Sequence, residues 1–384
     1  MKDIYFDNAA TTFPKPESVT DAVCKYMRDN GSNPGRSANR RSIEASEIVF
    51  NCRQLLADKF GVSNPLHVVF TLNATDALNT AIKGILSEGD HVICCGMGHN
   101  STMRPLYHLE QNGIIELTSI DKTMVTATDL QNFIKSNTRL VVVNHASNVT
   151  GDVQPIKEIF KLCKMQGITT LLDAAQTAGI IDIHLINDNV DILAASGHKG
   201  LYGPAGTGIL LLHDSFDFTT LTPLKTGGTG SLSESFAHPD FLPDRFESGT
   251  MNIPGIAGLA AGLTFLNDNY NEASIIAHKT ELRKLFIREA SSIDGFKEYR
   301  SGKINTGIVS FNIDGVEPSR LSMLLDDKFT IMGRPGLQCA PAAHQKLGTF
   351  PNGTMRFSFG LFNNMTEIIR AIEALKSIVK TIRE

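Results

Sequence analysis

A lysine with reactive neighbours stands directly after an apolar segment, in the stretch Ser196-Gly197-His198-Lys199. In an α/β sheet, ligands bind beyond the carboxyl ends of the strands, and this stretch falls at such an end. A lysine whose amine is partly deprotonated by its surroundings can form a Schiff base with an aldehyde cofactor. The Ser196 hydroxyl and the His198 imidazole are able to bind a phosphate. The alternative interpretation is a solvated loop with an ordinary surface lysine.

A carboxylate ends another apolar segment, 26 residues before that lysine. Asp173 follows residues 169–172, and Gln176 lies three residues further on. A carboxylate at this place can pair with a protonated pyridine nitrogen and so make the ring an electron sink, as in enzymes that use pyridoxal 5'-phosphate. The spacing leaves room for one crossover and one more strand, which would put Asp173 and Lys199 at the same edge of the sheet. Alternatively, Asp173 caps the turn that follows it.

Two further segments are candidates for the same site. Asn73-Ala74-Thr75 stands at a predicted strand-to-helix junction, where backbone N–H groups and a hydroxyl form a natural phosphate site. His99 follows another apolar segment and could stack flat on a pyridine ring. The alternatives are simple helix capping for the first segment and a structural histidine for the second.

Cysteine usage singles out one residue of the six. There is no C-x-x-C pair, so the spacing indicates neither a zinc site nor a thioredoxin-type motif, and we expect no metal. Cys24, Cys52, Cys94, Cys95 and Cys163 lie in apolar or helical contexts and are expected to be buried. Cys339 is the exception, because it lies in the polar, glycine- and proline-containing loop Arg334-Pro335-Gly336-Leu337-Gln338-Cys339-Ala340-Pro341.

The elements that must position these residues follow from the hydrophobic pattern. Continuous apolar segments alternate with helical patterns, which predicts an α/β fold with a mainly parallel sheet covered on both faces. The predicted strands are residues 67–72, 91–95, 140–144, 169–172, 192–195 and 208–212, and the predicted helices between or before them are 42–60, 74–86, 103–111, 130–135 and 155–165.

The order of helical and strand patterns changes near residue 255, which predicts a second, smaller α+β domain. Helices are expected at 256–266, 272–291, 318–326 and 366–381, and strands at 307–313 and 355–359. We therefore predict a large domain over residues 15–255 and a small domain made of residues 1–14 and 256–384, the latter carrying Cys339 and Arg356. Residues 225–245, rich in Gly, Ser and Pro, are expected to form a long loop.

Composition narrows the class of protein. The chain has 384 residues, of which 42% are hydrophobic and 20% charged, and a net charge of −4. These values are ordinary for globular proteins and give no reason to expect nucleic acid or an anionic membrane as a partner. No apolar stretch is long enough to cross a bilayer, and the N-terminal residues are unlike a signal peptide. We therefore expect a cytoplasmic protein.

Together these segments resemble the class V aminotransferase superfamily and, within it, the cysteine desulfurases and selenocysteine lyases. The loop around Cys339 is similar to the R-x-G-x-x-C-A segment of group II desulfurases. The matching segments extend over essentially the whole chain: residues 5–12 (YFDNAATT), 33–36 (NPGR), 73–75 (NAT), His99, 147–151 (SNVTG), 173–176 (DAAQ), 196–199 (SGHK), 247–250 (ESGT), 334–339 (RPGLQC) and 356–359 (RFSF).

The resemblance implies a homodimer of PLP-dependent fold type I, with a seven-stranded sheet in the large domain and two active sites at the subunit interface. Lys199, Cys339 and His99 would be the catalytic residues. By the same resemblance Lys199 would hold the cofactor covalently, His99 would stack on its ring, and Asp173 would pair with its nitrogen. The phenolate side of the ring would be contacted by Asn148 and Gln176, and the phosphate would be bound by Asn73, Ala74, Thr75, Ser196 and His198 together with Thr250 of the neighbouring subunit. The substrate would be bound by Arg356, Arg36, Asn148 and Ala10.

The implied reaction removes sulfur from L-cysteine, or selenium from L-selenocysteine, and gives L-alanine. A Cys339 thiolate can attack the substrate sulfur and retain it as a persulfide, for which an acceptor protein is then expected. The chain departs from the family at Gly98, where relatives have a glutamate, and at Leu337-Gln338, where a histidine pair is common; both changes are expected to remove ionisable groups near the substrate atom. The alternatives are a selenocysteine-specific lyase, an aminotransferase or β-lyase without persulfide chemistry, and a catalytically idle scaffold that holds a partner protein.

Overall fold

The structure is a computed structural model, and it describes residues 3–35, 39–120, 122–300 and 302–384. Arg36, which the sequence suggested as a substrate contact, lies outside the described residues. Within them the strands are β1 (Ile4–Tyr5), β2 (Val68–Thr71), β3 (Asp90–Cys95), β4 (Ile115–Ser119), β5 (Thr138–Asn144), β6 (Thr169–Asp173), β7 (Ile192–Ser196), β8 (Gly208–Leu212), β9 (Phe296–Tyr299), β10 (Ile308–Ile313), β11 (Ile331–Met332) and β12 (Met355–Ser358).

The helices cover the strands on both sides and continue the chain to its end. They are α1 (Glu17–Lys25), α2 (Arg40–Phe60), α3 (Ala74–Ile85), α4 (Asn100–Gln111), α5 (Ala127–Gln131), α6 (Ile156–Met165), α7 (Ile253–Asn269), α8 (Glu272–Ala290), α9 (Pro318–Phe329), α10 (Pro341–Leu347) and α11 (Met365–Arg383). The predicted helix over 130–135 is misplaced. A capping box between Thr126 and Asp129 starts α5 earlier, and α5 ends at Gln131.

A seven-stranded sheet with the order β2-β8-β7-β6-β5-β3-β4 forms the centre of the fold. Its neighbours from β7 to β4 pair in parallel, whereas β8 runs antiparallel to both β2 and β7. The predicted mainly parallel sheet is therefore confirmed. The sequence missed β4, because of its five residues only Ile115 is buried and the strand lies at the sheet edge.

Helices on the two faces bury this sheet in two apolar layers. One layer packs strand residues such as Ile93 and Leu193 against α2, α6 and α7. The other packs residues such as Val92 and Leu171 against α3 and α4. Because successive residues of a strand point to opposite faces, strands covered on both sides need apolar residues at consecutive positions, as β3, β5, β6 and β7 have at residues 92–95, 140–143, 171–172 and 192–195.

A second core lies around a three-stranded antiparallel sheet with the order β12-β10-β9. Phe286 of α8, Phe311 of β10 and Phe357 of β12 pack there with α9 and α11. The short parallel pair of β1 and β11 joins the N-terminal residues to this part. Helix α7 spans the suggested boundary at residue 255 and packs on the first core, so the domain limits stay a prediction.

Two further features bear on function. In the described part of the chain, no helix is both long and apolar enough to span a membrane. Residues 221–252, which include the predicted loop, contain neither helix nor strand.

Candidate active site

The predicted cofactor residues, except Thr250, meet at the carboxyl edge of the central sheet. Asn144, Asp173 and Ser196 are the last residues of the adjacent strands β5, β6 and β7, so their side chains emerge side by side. They line one cavity. Its other walls are Asn73, Ala74, Thr75, Leu78, His99, Ser101, Asn148, Ala175, Gln176, His198 and Lys199, so all predicted cofactor contacts except Thr250 lie here.

The turn that carries Lys199 is held by hydrogen bonds from two side chains to its backbone carbonyl groups. The Thr12 hydroxyl lies 3.1 Å from the Lys199 carbonyl oxygen, and the Lys15 ammonium donates to the His198 carbonyl at 2.7 Å. Burial lowers the pKa of the Lys199 amine to about 8, against an opposing effect of Asp173, and Arg356 and Arg334 lower it further. The amine is thus partly deprotonated near neutral pH, as a nucleophile or base must be.

Asp173 is fixed by three donors inside the protein. Its Oδ2 accepts from Asn144 Nδ2 at 3.3 Å and from the Thr102 hydroxyl at 3.4 Å, and its Oδ1 accepts from the Ala175 N–H at 3.1 Å. Asp173 is only 2% exposed. The bond from the Ala175 N–H forms the local turn that was the alternative interpretation of Asp173. The carboxylate therefore caps this turn and also lines the cavity. Asn144 was missed as a site residue although its position at a strand end was predicted.

One end of the cavity is built for an anion. Asn73 caps α3 by accepting from the Asp76 N–H, which leaves the helix N-terminus facing the cavity, and the Thr75 hydroxyl lies 2.7 Å from that of Ser101. Strand β8 supports this junction closely, since a Cβ on Gly208 would come within 2.4 Å of the Asn73 backbone. Ser196 Oγ and His198 Nδ1 are buried without a hydrogen-bond partner among the described residues. Both atoms are therefore free to bind a ligand in this cavity.

His99 forms a wall between the cavity and the molecular surface. Its Nδ1 accepts from the Ser101 N–H at 3.1 Å, so a neutral ring carries its proton on Nε2. Burial is the largest effect on its pKa and lowers it from the ordinary value, which favours that neutral form. His99 is therefore both a helix cap and a ring exposed to the cavity.

Arg356 lies on β12 with a guanidinium that is almost fully buried. Its Nη2 donates to Asp7 Oδ1 at 2.6 Å and its Nη1 to the Asn148 carbonyl at 2.9 Å, while Nε has no partner among the described residues. Ala10 donates its N–H to the Asp7 carbonyl at 3.0 Å, in the turn that carries Asp7. The sequence did not single out Asp7, and only its place in the motif at residues 5–12 hinted at a role.

Cys339 is exposed, as its loop context suggested. It lines an open groove with Thr75, His99 and Ser101, and these three residues also line the cavity of Lys199. Cys24 is exposed too, contrary to expectation, because it lies on the outer side of α1. The buried residue of this helix is Val19. The other four cysteines are buried as expected.

The two amide side chains expected near the ring, those of Asn148 and Gln176, both line the cavity. Asn148 Nδ2 donates to the Gln338 carbonyl at 2.6 Å and its buried Oδ1 has no partner within the described ranges. Gln176 Nε2 donates to the Ala9 carbonyl at 3.0 Å. Thr250 is exposed and lines a different cavity with Asp76 and Lys225.

Comparison with known proteins places the chain in a family. The model of the family described as aminotransferase class V matches residues 4–370. The chain belongs to this family.

Individual relatives extend over nearly the whole chain. A probable cysteine desulfurase of Methanothermobacter thermautotrophicus is 32% identical over 385 residues, covering 98% of this chain and 95% of that protein. A probable cysteine desulfurase of Pyrococcus abyssi is 32% identical over 392 residues, covering 99% and 95%. The apo structure of a cysteine desulfurase from Thermococcus onnurineus NA1 has a TM-score of 0.90 at 32% identity, covering 99% of this chain and 95% of that one.

Proposed function

We propose that this protein is a pyridoxal-phosphate-dependent cysteine desulfurase, which converts L-cysteine to L-alanine and keeps the sulfur on Cys339. One observation carries the proposal. The cavity that holds Lys199 and Asp173 and the groove that holds Cys339 share Thr75, His99 and Ser101 as walls. A substrate bound at Lys199 would therefore extend its side chain toward the thiol.

The residues present fit pyridoxal phosphate. Ser196 Oγ, His198 Nδ1 and the N-terminus of α3 would hold the phosphate, Asp173 would face the ring nitrogen, and His99 would cover the ring. Lys199 would hold the cofactor covalently, and Asn148 and Gln176 would contact the phenolate side. When bound, this cofactor supplies an electron sink for the substrate carbons.

Side chains of the protein would bind the substrate, transfer its proton and exclude solvent. Arg356 would bind the substrate carboxylate through Nε, which has no partner among the described residues, and Ala10 and Asn148 would assist it. Lys199, with its lowered pKa of about 8, would take the substrate α-proton and later return a proton. His99, kept neutral by burial, would protect that transfer from solvent.

Cys339 would complete the reaction as a nucleophile. Its thiolate attacks the substrate sulfur, the bond between that sulfur and Cβ breaks, and the electron pair of that bond remains with the carbon fragment, which takes up protons and leaves as alanine. Free cysteine and the Cys339 thiol thus become alanine and a Cys339 persulfide, with no external reductant. Release of the sulfur then requires a thiol on an acceptor, for which the exposed Cys339 is accessible.

We also propose that the protein works as a homodimer. Thr250 is exposed and lines a cavity of its own, and Phe236 in the long loop is fully exposed, which suits a surface that a second copy covers. The partner's Thr250 would then complete the phosphate site. Cytoplasmic localisation stays a prediction.

The proposal is tested by supplying pyridoxal phosphate and then reducing the mixture with borohydride. We expect a mass increase on Lys199 and none in Lys199→Ala. Alanine release from L-cysteine and from L-selenocysteine is then compared. Turnover of both supports a desulfurase, turnover of L-selenocysteine alone would make the protein a selenocysteine-specific lyase, and an amino-group transfer that tolerates Cys339→Ala would indicate an aminotransferase.

A further inference from the structure

Cys339 lies in a loop whose backbone is held in an unfavourable conformation. Gln338 has φ 43° and Cys339 has φ 59°, so two consecutive residues other than glycine are left-handed. A side chain makes this region costly because Cβ crowds the following carbonyl. Such residues persist only where the surrounding structure fixes them, and they concentrate at functional sites. The loop must therefore contain groups that hold it.

The side chain of Gln338 is the first of these groups. It points away from the site cavity and into the protein, and Gln338 is only 5% exposed. Its Nε2 donates to the Thr354 carbonyl at 2.9 Å and lies 3.3 Å from the Arg334 carbonyl, while its Oε1 lies 2.8 Å from His344 Nε2. Both the nitrogen and the oxygen of this side-chain amide thus attach the loop to the backbone just before β12 and to α10.

His344 continues the chain of hydrogen bonds. It is fully buried on α10, and its Nδ1 lies 2.7 Å from the Thr349 hydroxyl. Because the Gln338 Oε1 can only accept, His344 Nε2 carries the proton and Nδ1 accepts from Thr349. Burial also lowers the pKa of His344 to about 4, so this neutral tautomer is kept over the physiological pH range.

The peptide groups on both sides of Cys339 are fixed as well. Asn148 donates to the Gln338 carbonyl at 2.6 Å, and the Asn100 N–H donates to the Cys339 carbonyl at 2.9 Å. The backbone is thus attached to the large sheet's side of the site while the Gln338 side chain attaches it to the opposite side. Only the Cys339 side chain is left exposed to the groove.

We propose that Gln338, oriented by His344 and Thr349, is a positioning residue that fixes the Cys339 sulfur in line with the substrate sulfur. This inference rests on the proposed function, since it assigns a role within that reaction. It also changes the expectation for the Leu337-Gln338 departure: Gln338 does not alter the charge near the substrate atom, because its side chain faces the interior.

The test compares Gln338→Leu with Gln345→Leu, a matched change at an exposed position of α10. In the cofactor-loaded protein we expect kcat for alanine formation to fall at least about tenfold in Gln338→Leu, with KM within about twofold of wild type. Hydrogen exchange of the amides of residues 336–340 should become faster, while exchange in α11 stays unchanged. Gln345→Leu should match wild type in both.

A milder variant covers the case in which Gln338→Leu folds poorly. Thr349→Val keeps the shape of the side chain and removes the donor to His344, so it should give the same pattern with a smaller loss of kcat. Loop exchange and kcat equal to those of Gln345→Leu, in whichever variant folds, would overturn the proposal. If the wild type releases no alanine, the proposed function fails, yet faster loop exchange in the variants would still identify Gln338 as the residue that fixes the Cys339 loop.

Discussion

Asp7 accepts a hydrogen bond from Arg356 Nη2 at 2.6 Å, so a carboxylate of the protein occupies the guanidinium that we propose for the substrate. A guanidinium binds a carboxylate in the bidentate mode either through Nη1 and Nη2 or through Nε and Nη2, so Nη2 takes part in both modes. The substrate must therefore share this nitrogen with Asp7 or displace it. Asp7 also compensates the charge of Arg356, whose side chain is only 2% exposed, and so stabilises the site.

Replacing Asp7 by asparagine should separate these two effects. Asn keeps an acceptor for Nη2 but removes the competing charge, so we expect KM for L-cysteine to fall by about threefold to tenfold, roughly 1 kcal/mol. Steady-state kinetics measures this, and a dissociation constant for L-alanine from calorimetry should fall in parallel. An unchanged or higher KM in Asp7→Asn would show that Asp7 does not compete with substrate.

The buried hydroxyl of Ser196 gives a prediction for cofactor binding. In Ser196→Ala the apo protein should be as stable as wild type, because the buried hydroxyl has no partner to lose among the described residues. The affinity for pyridoxal phosphate should fall about tenfold or more, since a hydrogen bond to a charged phosphate is lost. Thermal unfolding and equilibrium titration measure the two quantities. Wild-type affinity in the variant would remove Ser196 from the phosphate site.

A buried ion pair fixes the segment that leads to Thr250. Arg53 and Glu247 have side chains that are each 5% exposed, and Glu247 also accepts from the Phe70 N–H at 2.6 Å. Glu247→Gln leaves Arg53 buried without its counterion and should lower the free energy of unfolding by roughly 3 kcal/mol. Glu44→Gln, in the exposed pair with Arg40, should cost less than about 1 kcal/mol. Similar costs in the two variants, measured by urea unfolding, would contradict this account.

Lys279 predicts an unusual dependence of stability on pH. It is 6% exposed, its ammonium donates to the Phe359 carbonyl, and burial lowers its pKa from 10.5 to about 8. Between these two pH values the unfolded chain holds a proton that the folded chain has released, so this residue makes wild-type stability rise with pH. Below pH 8 the burial of the charge is a cost.

Lys279→Met should therefore raise the free energy of unfolding at pH 7 by roughly 1–3 kcal/mol. This gain should shrink as the pH rises from 8 to 10.5. Lys15 and Lys199 have pKa values lowered in the same way, but their effects cancel in the difference between variant and wild type. Urea unfolding at several pH values measures the difference, and a gain that does not depend on pH would refute the assignment.

The centre of the fold and the sheet edge where the cavity lies could be predicted from the sequence because both depend on short-range patterns. Apolar segments predicted the strands of the sheet, and the strand ends at Asp173 and Ser196 predicted the edge where the cavity lies. It could not show that Gln338 turns inward, since this depends on His344 and Thr354 from other elements. Asp7 was missed for the same reason, as its partner is 349 residues away.

The central claim is that Lys199 and Cys339 act on one substrate molecule, and one experiment tests it most directly. Cofactor-loaded wild type and Cys339→Ala are mixed with L-cysteine, and alanine is measured together with the mass of the Cys339 peptide. We predict one alanine per active site and a mass increase of one sulfur atom on Cys339 in the first turnover, and loss of most alanine in the variant. Undiminished alanine release by Cys339→Ala, or wild-type turnover without sulfur on Cys339, would contradict the account.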